Sequence, residues 1–249
     1  MGDRFELVCE IEPPTRPDLT RVRHQIGVLS AVSGTFLVPD NHLGRATVSS
    51  IAVAREVDAM GGRSIACLNS RDRNLLGLRR DLLTAAAYGV DSFLFVHGDA
   101  PSAGERTSGL TVRTMMAEAR AAGSCTVGVA AGLRPLVGWK KEADFVFAQV
   151  SYDLDALLRW RDSVDVDRPV YAGVMVLASV AMAERLAAAI PDVAIPAELV
   201  ERVAADRRAG VDAACAQVLA LRDSGAFDGV HLVPVARYRE VAATLERTL

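Results

Sequence analysis

The feature that most constrains the fold is a regular alternation of short apolar runs with longer helical runs along all 249 residues. Eight runs have the length and composition of buried strands, and a helical pattern or a short connection follows each of them. Strands that alternate with helices in this way pair in parallel through right-handed crossovers. The strand-like runs are residues 5–11, 34–38, 64–68, 92–96, 125–129, 145–149, 170–174 and 230–233.

Two architectures accommodate this pattern, an open doubly wound sheet and a closed (β/α)8 barrel. The units are evenly spaced, and no Gly-x-Gly-x-x-Gly motif follows the first strand, so the barrel is favoured. The length is close to the roughly 250 residues of one such barrel. The sequence therefore predicts one α/β catalytic domain over residues 1–249, a TIM barrel with an extra helix at Pro196 between strands 7 and 8. Pro135 predicts a shortened helix after strand 5.

Composition narrows the function classes. The net charge is −3 and no basic stripe is present, so a nucleic-acid partner is not expected. No apolar run is long enough to cross a membrane, and no secretory segment opens the chain. The cysteines Cys9, Cys67, Cys125 and Cys215 are widely spaced, which predicts reduced thiols and no metal site. These features predict a cytoplasmic enzyme that acts on a small molecule and is compatible with a homo-oligomer.

Polar residues follow most of the predicted strands. Active sites in this fold lie at the carboxyl ends of the strands, so these side chains are expected to meet at one rim. Their types, carboxylates, amides and imidazoles, suit binding and proton transfer. The candidates are Glu10, Asp40, Asn41, His42, Asn69, His97, Asp99, Gln149 and Tyr152.

Glu10 is the strongest catalytic candidate. Side chains alternate along a strand, so Leu7, Cys9 and Ile11 are expected to face the helices while Val8 and Glu10 point into the barrel. A carboxyl that is partly removed from water tends to hold its proton near neutral pH, as a general acid must. Position alone leaves a second interpretation equally open, a structural carboxylate paired with lysine or arginine.

The other candidates carry weaker signals. Gly98 permits a tight turn that would present Asp99 over the barrel mouth, although Gly-Asp pairs are also common in ordinary turns. Gln149 ends a buried strand, where its amide needs a partner such as a ligand ring edge. For His42 and His97 the favoured interpretation is an ordinary loop histidine, and a functional role is the alternative.

Several segments together resemble one enzyme family. Residues 10–14, Glu-Ile-Glu-Pro-Pro, resemble the Glu-Phe-Phe-Pro-Pro signature of the methylenetetrahydrofolate reductases, and residues 95–101 resemble their Leu-Arg-Gly-Asp-x-Pro turn. Residues 143–153 resemble their Gly-Ala-Asp…Thr-Gln…Phe-Asp segment. Residues 170–175 and 195–196 resemble their Ile-Ile-Pro-Gly-Ile-Met-Pro strand and the Ile-Pro before the inserted helix. The order and spacing hold over nearly the whole chain.

The resemblance implies a barrel that reduces 5,10-methylenetetrahydrofolate to 5-methyltetrahydrofolate, in one-carbon metabolism and methionine biosynthesis. It implies that Glu10 is the general acid, which protonates a nitrogen of the substrate so that the five-membered ring opens. It also implies that Gln149 binds the pterin, that Tyr152 lies on the folate side, and that Asp99 contacts both folate and flavin in flavin-bearing members.

The residues that depart from the family pattern are those on the flavin side. Flavoprotein members carry a histidine in strand 3, where this chain has Ser64 or Ile65, and an arginine before Gly-Asp, where it has His97. Their Thr-Tyr-Gly-Ala and Tyr-Pro-Glu-x-His segments are replaced at residues 38–41 and 130–134. Their fifth helix, which contacts the flavin phosphates, is shortened to a stretch that ends at 139–141.

These departures predict a flavin-free member in which NADH or NADPH passes hydride directly to the folate. The residues assigned to the cofactor side are Asp40, Asn41, His42, Asn69 and His97, with the region of Lys140 and Lys141. Three alternatives stay open at this point: the same reaction through bound FAD or a similar carrier, a folate-binding barrel without catalysis, and an unrelated barrel for a phosphorylated substrate. The last would require a glycine-rich phosphate loop after strands 7 and 8, for which Gly173 is poor evidence.

Overall fold

The computed structural model describes residues 5–100, 102–105, 109–189 and 193–248, and its strands form one closed parallel barrel in the order β1 to β8. This confirms the predicted (β/α)8 barrel. Each strand pairs with its neighbours in the sequence, and β8 closes the barrel against β1. The strands are β1 Glu6–Glu10, β2 Thr35–Val38, β3 Arg63–Asn69, β4 Ser92–Val96, β5 Thr126–Ala131, β6 Phe145–Val150, β7 Val170–Met175 and β8 Gly229–Val233.

Helices surround the barrel, and three of them lie between β7 and β8, which confirms the predicted insertion. The connection from β5 to β6 contains only a 3-10 turn, Gly138–Glu142, among its described residues, as Pro135 predicts. The α-helices are α1 Thr20–Leu29, α2 Ser50–Ala59, α3 Leu75–Tyr88, α4 Val112–Ala122, α5 Leu154–Asp162, α6 Val180–Ala189, α7 Ala197–Ala205, α8 Arg208–Ser224 and α9 Tyr238–Leu245.

The helical pattern of the sequence after strand 3 covers residues 72–88, but helix α3 begins three residues later, at Leu75. The side chain of Asn74 accepts a hydrogen bond from the backbone N–H of Gly77 and so caps the helix. Asp72, which the helical pattern included, uses its carboxylate to bind Asn41 and Asn69 at the barrel mouth. A long-range contact thus sets this boundary.

The strands divide the buried side chains into two cores. Leu7, Cys9 and Ile11 belong to the core between barrel and helices, whereas Val8 belongs to the barrel interior, which confirms the predicted alternation of β1. The interior also contains an aromatic pair on β6, for which Gly128 on β5 leaves space. The buried members of the interior are Val8, Leu37, Ile65, Cys67, Leu94, Phe145 and Phe147.

A polar cluster around Glu6 lies in the barrel interior at the amino ends of the strands. The carboxylate accepts hydrogen bonds from Thr35 Oγ1 (2.6 Å), from the Tyr171 hydroxyl (2.7 Å) and from the Arg63 guanidinium. Burial and the bond to Glu6 both raise the pKa of Tyr171. This cluster occupies the face of a TIM barrel that ordinarily serves stability rather than catalysis.

All four cysteines are free thiols, as predicted. Cys9, Cys67 and Cys215 are buried and Cys125 is half-buried. Burial raises the pKa of Cys9 to about 12 and that of Cys215 to about 11, which keeps these thiols protonated and unreactive. Within the described ranges, no helix combines the length and apolar character needed to cross a membrane, and no group of metal-ligating side chains is found.

Candidate active site

Glu10 lies at the carboxyl end of β1, and its ion-pair neighbour among the described residues is His231 on β8. The two strands pair side by side, with Val8 opposite His231. His231 Nε2 lies 3.3 Å from Glu10 Oε2, and the two side chains are 12% and 17% exposed. The contact falls outside hydrogen-bonding geometry, and the buried Nε2 atom has no other hydrogen-bond partner among the described residues. The Glu10 carboxyl and the His231 imidazole therefore face each other inside the barrel mouth without forming a hydrogen bond.

The alternative interpretation of Glu10 required a lysine or arginine partner. In the part of the chain that the structure describes, no such residue forms an ion pair with Glu10. Glu12, by contrast, pairs with Arg21 across 3.5 Å, and both side chains are more than half exposed. Glu12 thus has the surface partner that Glu10 lacks.

Aromatic packing fixes the orientation of His231. Its imidazole stacks on Phe147, with ring centroids 5.2 Å apart and an interplanar angle of 12°. Phe147 is itself held edge-on by Tyr171 at 4.9 Å. With one face of the imidazole covered, its ring edge is directed at the carboxyl of Glu10.

His231 is a site residue that the sequence analysis missed. It is the polar residue between Val230 and Leu232, both of which are fully buried in the outer core. Strand alternation therefore puts His231 in the interior, and the signal was present in the sequence. What the sequence did not show is that the last strand lies beside the first, because that contact exists only once the barrel closes.

Gln149 lies in a bulge near the end of β6. Phe147 pairs with Tyr171 and Val150 with Gly173, so β6 carries one residue more than β7 between these pairs. Gly173 makes the bulge possible, because a Cβ at this position would lie 2.6 Å from the carbonyl oxygen of Ala148. The Gln149 side chain is half-buried, and no partner for its amide is found among the described residues.

Tyr152 packs against the apolar cluster of the added helices, which includes Ala183 on α6 and Leu199 on α7. Burial raises the pKa of its hydroxyl to about 12, and the buried oxygen has no hydrogen-bond partner in the described chain. Two cavities of about 290 and 440 Å³ meet at this ring, the first lined by Met175, Leu199 and Gly210 among others, the second by Ile195 and its neighbours. Glu10 lines neither cavity, so the structure does not bring these two predicted residues into one pocket.

Three of the predicted cofactor-side residues belong to a polar network at the ends of β2 and β3, formed by Asp40, Asn41, Asn69, Asp72 and Arg73. Asp40 pairs with Arg73 at 2.7 Å, and Asn69 Nδ2 donates to Asp40 at 2.9 Å and to Asp72 at 2.8 Å. Asn41 donates to Asp72 at 2.6 Å. Burial raises the pKa of Asp40, and the charge of Arg73 opposes that change.

Within this network Asn69 uses every hydrogen-bonding group of its amide, since its Oδ1 also accepts the backbone N–H groups of Arg71 and Asp72. Asn41 accepts the N–H of Thr47 in addition to its bond to Asp72. Both residues therefore hold the loops at the mouth in place. A role of Asn41 and Asn69 in cofactor binding remains a prediction. They would contribute to it by fixing the conformation of these loops.

Asp99, which follows β4, holds the loop after β2 by a hydrogen bond. Its Oδ2 accepts the backbone N–H of Leu43 at 2.9 Å, which holds Leu43 in the left-handed region at φ 57°. The residue before it must be glycine, because Gly98 has φ 83° and a Cβ there would lie 2.6 Å from that of Asn69. The Asp99 carboxylate is exposed and is already bonded to the loop, and its presentation to a ligand stays a prediction.

The two candidate histidines on this side are exposed. His42 lies in the 3-10 turn His42–Gly44, and His97 follows β4 with its Nδ1 3.2 Å from Ser70 Oγ. Lys140 in the shortened connection is half-buried, and its ammonium donates to the carbonyl of Ala130 at 2.6 Å. Burial lowers the pKa of Lys140. Among the predicted cofactor-side residues, the histidines are the most accessible to a ligand.

Comparison with known families bears on these assignments. The family model described as methylenetetrahydrofolate reductase matches residues 139–248. The matched segment includes Gln149, Tyr152 and His231, so the family resemblance stated from the sequence is confirmed over this part of the chain. Glu10 lies outside it, and its assignment depends on the residues 10–14 motif. No curated protein matches the chain.

Solved structures of the same fold are numerous. One is a protein from Clostridium thermocellum that binds two copies of 5-methyl-5,6,7,8-tetrahydrofolic acid, with a TM-score of 0.68, 11% identity, and coverage of 99% of this chain and 97% of that chain. A mutant tryptophan synthase α-subunit from Pyrococcus furiosus has a TM-score of 0.59, 14% identity, and coverage of 97% and 95%. EDTA monooxygenase from a Chelativorans species has a TM-score of 0.56, 11% identity, and coverage of 98% and 94%. At such identities these similarities establish the fold alone.

Proposed function

We propose that this chain, a relative of the methylenetetrahydrofolate reductases over residues 139–248, is an oxidoreductase that reduces 5,10-methylenetetrahydrofolate to 5-methyltetrahydrofolate. The observation that carries the proposal is the state of Glu10. It is a partly buried carboxyl inside the barrel mouth whose one ionic neighbour among the described residues is His231. A purely structural carboxylate at this depth would be expected to have a cation or several donors around it.

The chemistry requires one proton and one hydride. Glu10 gives its proton to a nitrogen of the five-membered ring, the carbon–nitrogen bond breaks, and an electrophilic iminium carbon remains. The half-buried amide of Gln149 offers both a donor and an acceptor, which suits the edge of a pterin ring. NADH or NADPH would supply the hydride that this carbon accepts.

The folate assignment has support from a neighbour of the same fold. The Clostridium thermocellum protein binds a reduced folate, and its fold covers nearly all of this chain. The carboxyl ends of barrel strands are where this fold builds binding sites. Glu10 and Gln149 lie at that end of the barrel, and His231, in the middle of β8, approaches Glu10 from within the barrel.

The proposal includes a direct transfer from the nicotinamide without a bound flavin. The connection between β5 and β6 has a 3-10 turn in place of the helix that carries flavin-phosphate contacts in the resembled enzymes. Lys140, which lies in that turn, is bonded to Ala130 rather than free for a phosphate. His42 and His97 are exposed, and they are the predicted cofactor-side residues most accessible to a nicotinamide cofactor.

The test is an assay of purified protein from which any flavin has been removed. We expect oxidation of NADH or NADPH that depends on 5,10-methylenetetrahydrofolate, with 5-methyltetrahydrofolate as the product. A stoichiometric flavin spectrum, together with activity that requires this flavin, would overturn the direct transfer and favour the FAD-dependent reaction. Absence of turnover with both nicotinamides and with added FAD would overturn the reductase assignment itself.

A folate-binding barrel without catalysis is the second candidate, because the Clostridium thermocellum neighbour is described by what it binds. Isothermal titration with 5-methyltetrahydrofolate, performed beside the assay, separates the two candidates. Binding without turnover would favour the binding protein. Binding with turnover that Glu10→Gln abolishes would favour the reductase.

A further inference from the structure

We propose that His231 is a positioning residue for Glu10. Its Nε2–H group donates a hydrogen bond to the Glu10 carboxyl while that carboxyl releases its acid proton. The inference rests on the proposed function, and it assigns the role to a residue that the motifs did not indicate. His231 acts through Glu10 and does not need to touch the folate. Its contact is the 3.3 Å approach of Nε2 to Glu10 Oε2.

The first support is geometric. The imidazole could turn away from Glu10 if its packing allowed it, but Phe147 covers one face at a stacking angle of 12°. The Nε2 atom is buried and lacks a hydrogen-bond partner within the described residues. A buried ring nitrogen without a partner is costly, so the site is built for a bond that the present geometry only approaches. Catalytic hydrogen bonds often shorten only when substrate binds.

The second support is that the two carboxyl oxygens of Glu10 have different surroundings. Oε2 faces the imidazole, while Oε1 has no partner among the described residues. The acid proton is therefore placed on Oε1, and His231 with its proton on Nε2 donates to Oε2. When Oε1–H transfers its proton to the folate nitrogen, negative charge develops on the carboxylate. The bond from His231 then becomes charge-assisted and stronger, so it favours the transfer rather than the resting state.

The proton balance of the cycle is complete without further reagents. Glu10 loses one proton to the folate nitrogen and becomes a carboxylate, and solvent returns one proton to it before the next turnover. His231 keeps its own proton throughout. Packing alone does not account for this residue, because an apolar side chain would fill the same space beside Phe147 without burying an unpaired nitrogen.

The experiment compares His231→Phe with His231→Gln. Phenylalanine keeps an aromatic ring on Phe147 but has no donor, whereas glutamine keeps an N–H donor without the ring. We expect His231→Phe to lower kcat roughly 10- to 100-fold, the worth of one hydrogen bond to a charged group, with KM for methylenetetrahydrofolate within about twofold. Glutamine should restore part of kcat. Thermal melting of both variants checks that they are folded.

A double variant isolates the path through Glu10. If His231 acts only through this carboxyl, His231→Phe should have no further effect on the residual rate of Glu10→Gln. Equal losses in both backgrounds, or a change in KM without a change in kcat, would overturn the proposal. If wild type turns over and Glu10→Gln is inactive while His231→Phe is normal, this inference fails but the proposed function stands. If wild type binds folate without turnover, both fail.

Discussion

Two carboxylates on the same strand behave in opposite ways. Glu6 and Glu10 are the first and last residues of β1, and both lie in the barrel interior. Glu6, at the amino ends of the strands, accepts from Thr35, Arg63 and Tyr171. Among the residues that the structure describes, Glu10, at the carboxyl ends, has only the incomplete contact with His231. Side chains of the barrel itself thus supply the hydrogen-bond donors for Glu6, whereas the carboxyl of Glu10 is left available to a ligand.

The two sides of the barrel mouth also differ in whether their polar side chains are paired. On the side of β2 and β3, Asp40, Asn69 and Arg73 bond to one another and hold the loops. On the side of β6 and β8, Gln149 and His231 have polar atoms without hydrogen-bond partners among the described residues. The half-buried amide of Gln149 is thus available to a substrate, whereas the buried nitrogen of His231 faces Glu10. We therefore expect mutations on the two sides to affect different quantities.

The largest expected effect separates Glu10 from Glu6. Glu10→Gln should lower kcat roughly 10²- to 10⁴-fold, because glutamine cannot supply the acid proton, with little change in thermal stability. Glu6→Gln should lower the free energy of unfolding by about 1–3 kcal/mol, because bonds to a charged acceptor are lost, while kcat stays near wild type. Steady-state assays and denaturant unfolding measure both. If Glu6→Gln lost activity without losing stability, the assignment of a structural role to Glu6 and a catalytic role to Glu10 would be contradicted.

The polar network on the β2–β3 side is expected to be structural. Asp40→Ala removes one partner of a buried pair whose side chains are 6% and 11% exposed, so the free energy of unfolding should fall by about 3 kcal/mol. Arg79→Ala is the matched control, because Arg79 pairs with Glu118 on the surface and its loss should leave stability unchanged within error. Similar denaturant midpoints for the two variants would contradict the assignment of the network to structure.

Gln149 should affect binding more than folding. Gln149→Ala removes an amide that has no internal partner among the described residues, so stability should stay within about 0.5 kcal/mol of wild type. If the amide pairs with the pterin, KM for methylenetetrahydrofolate should rise roughly tenfold, the worth of one or two hydrogen bonds. An unchanged KM beside a lowered melting temperature would move Gln149 to the structural side of the comparison.

Tyr152 should give the smallest effect. Its buried hydroxyl lacks a partner in the described chain, so Tyr152→Phe removes an unsatisfied group and should leave the free energy of unfolding equal or higher by up to about 1 kcal/mol. Folate affinity, measured by titration, should be unchanged unless a ligand pairs with this oxygen. Weaker binding by the variant would place the folate at the cavities beside Tyr152 and extend the site beyond Glu10.

The sequence predicted the barrel and the orientation of Glu10, because both follow from local periodicity. The alternation of Leu7, Val8 and Cys9 is a property of the strand itself, and the structure reproduces it. The same rule applied to β8 would have singled out His231. The missing step was the pairing of β8 with β1, a contact between residues more than two hundred positions apart in the chain.

What the sequence by itself determined about this protein is its architecture, its inward-facing residues and the family that residues 139–248 match. What only the tertiary structure decided is which polar residues are already paired. Asp40, Asn69 and Gln149 all lie at or just after strand ends, yet within the described ranges only the first two have internal hydrogen-bond partners. The physical reason is that a hydrogen bond depends on distances between side chains from separate strands, and those distances are set when the barrel closes.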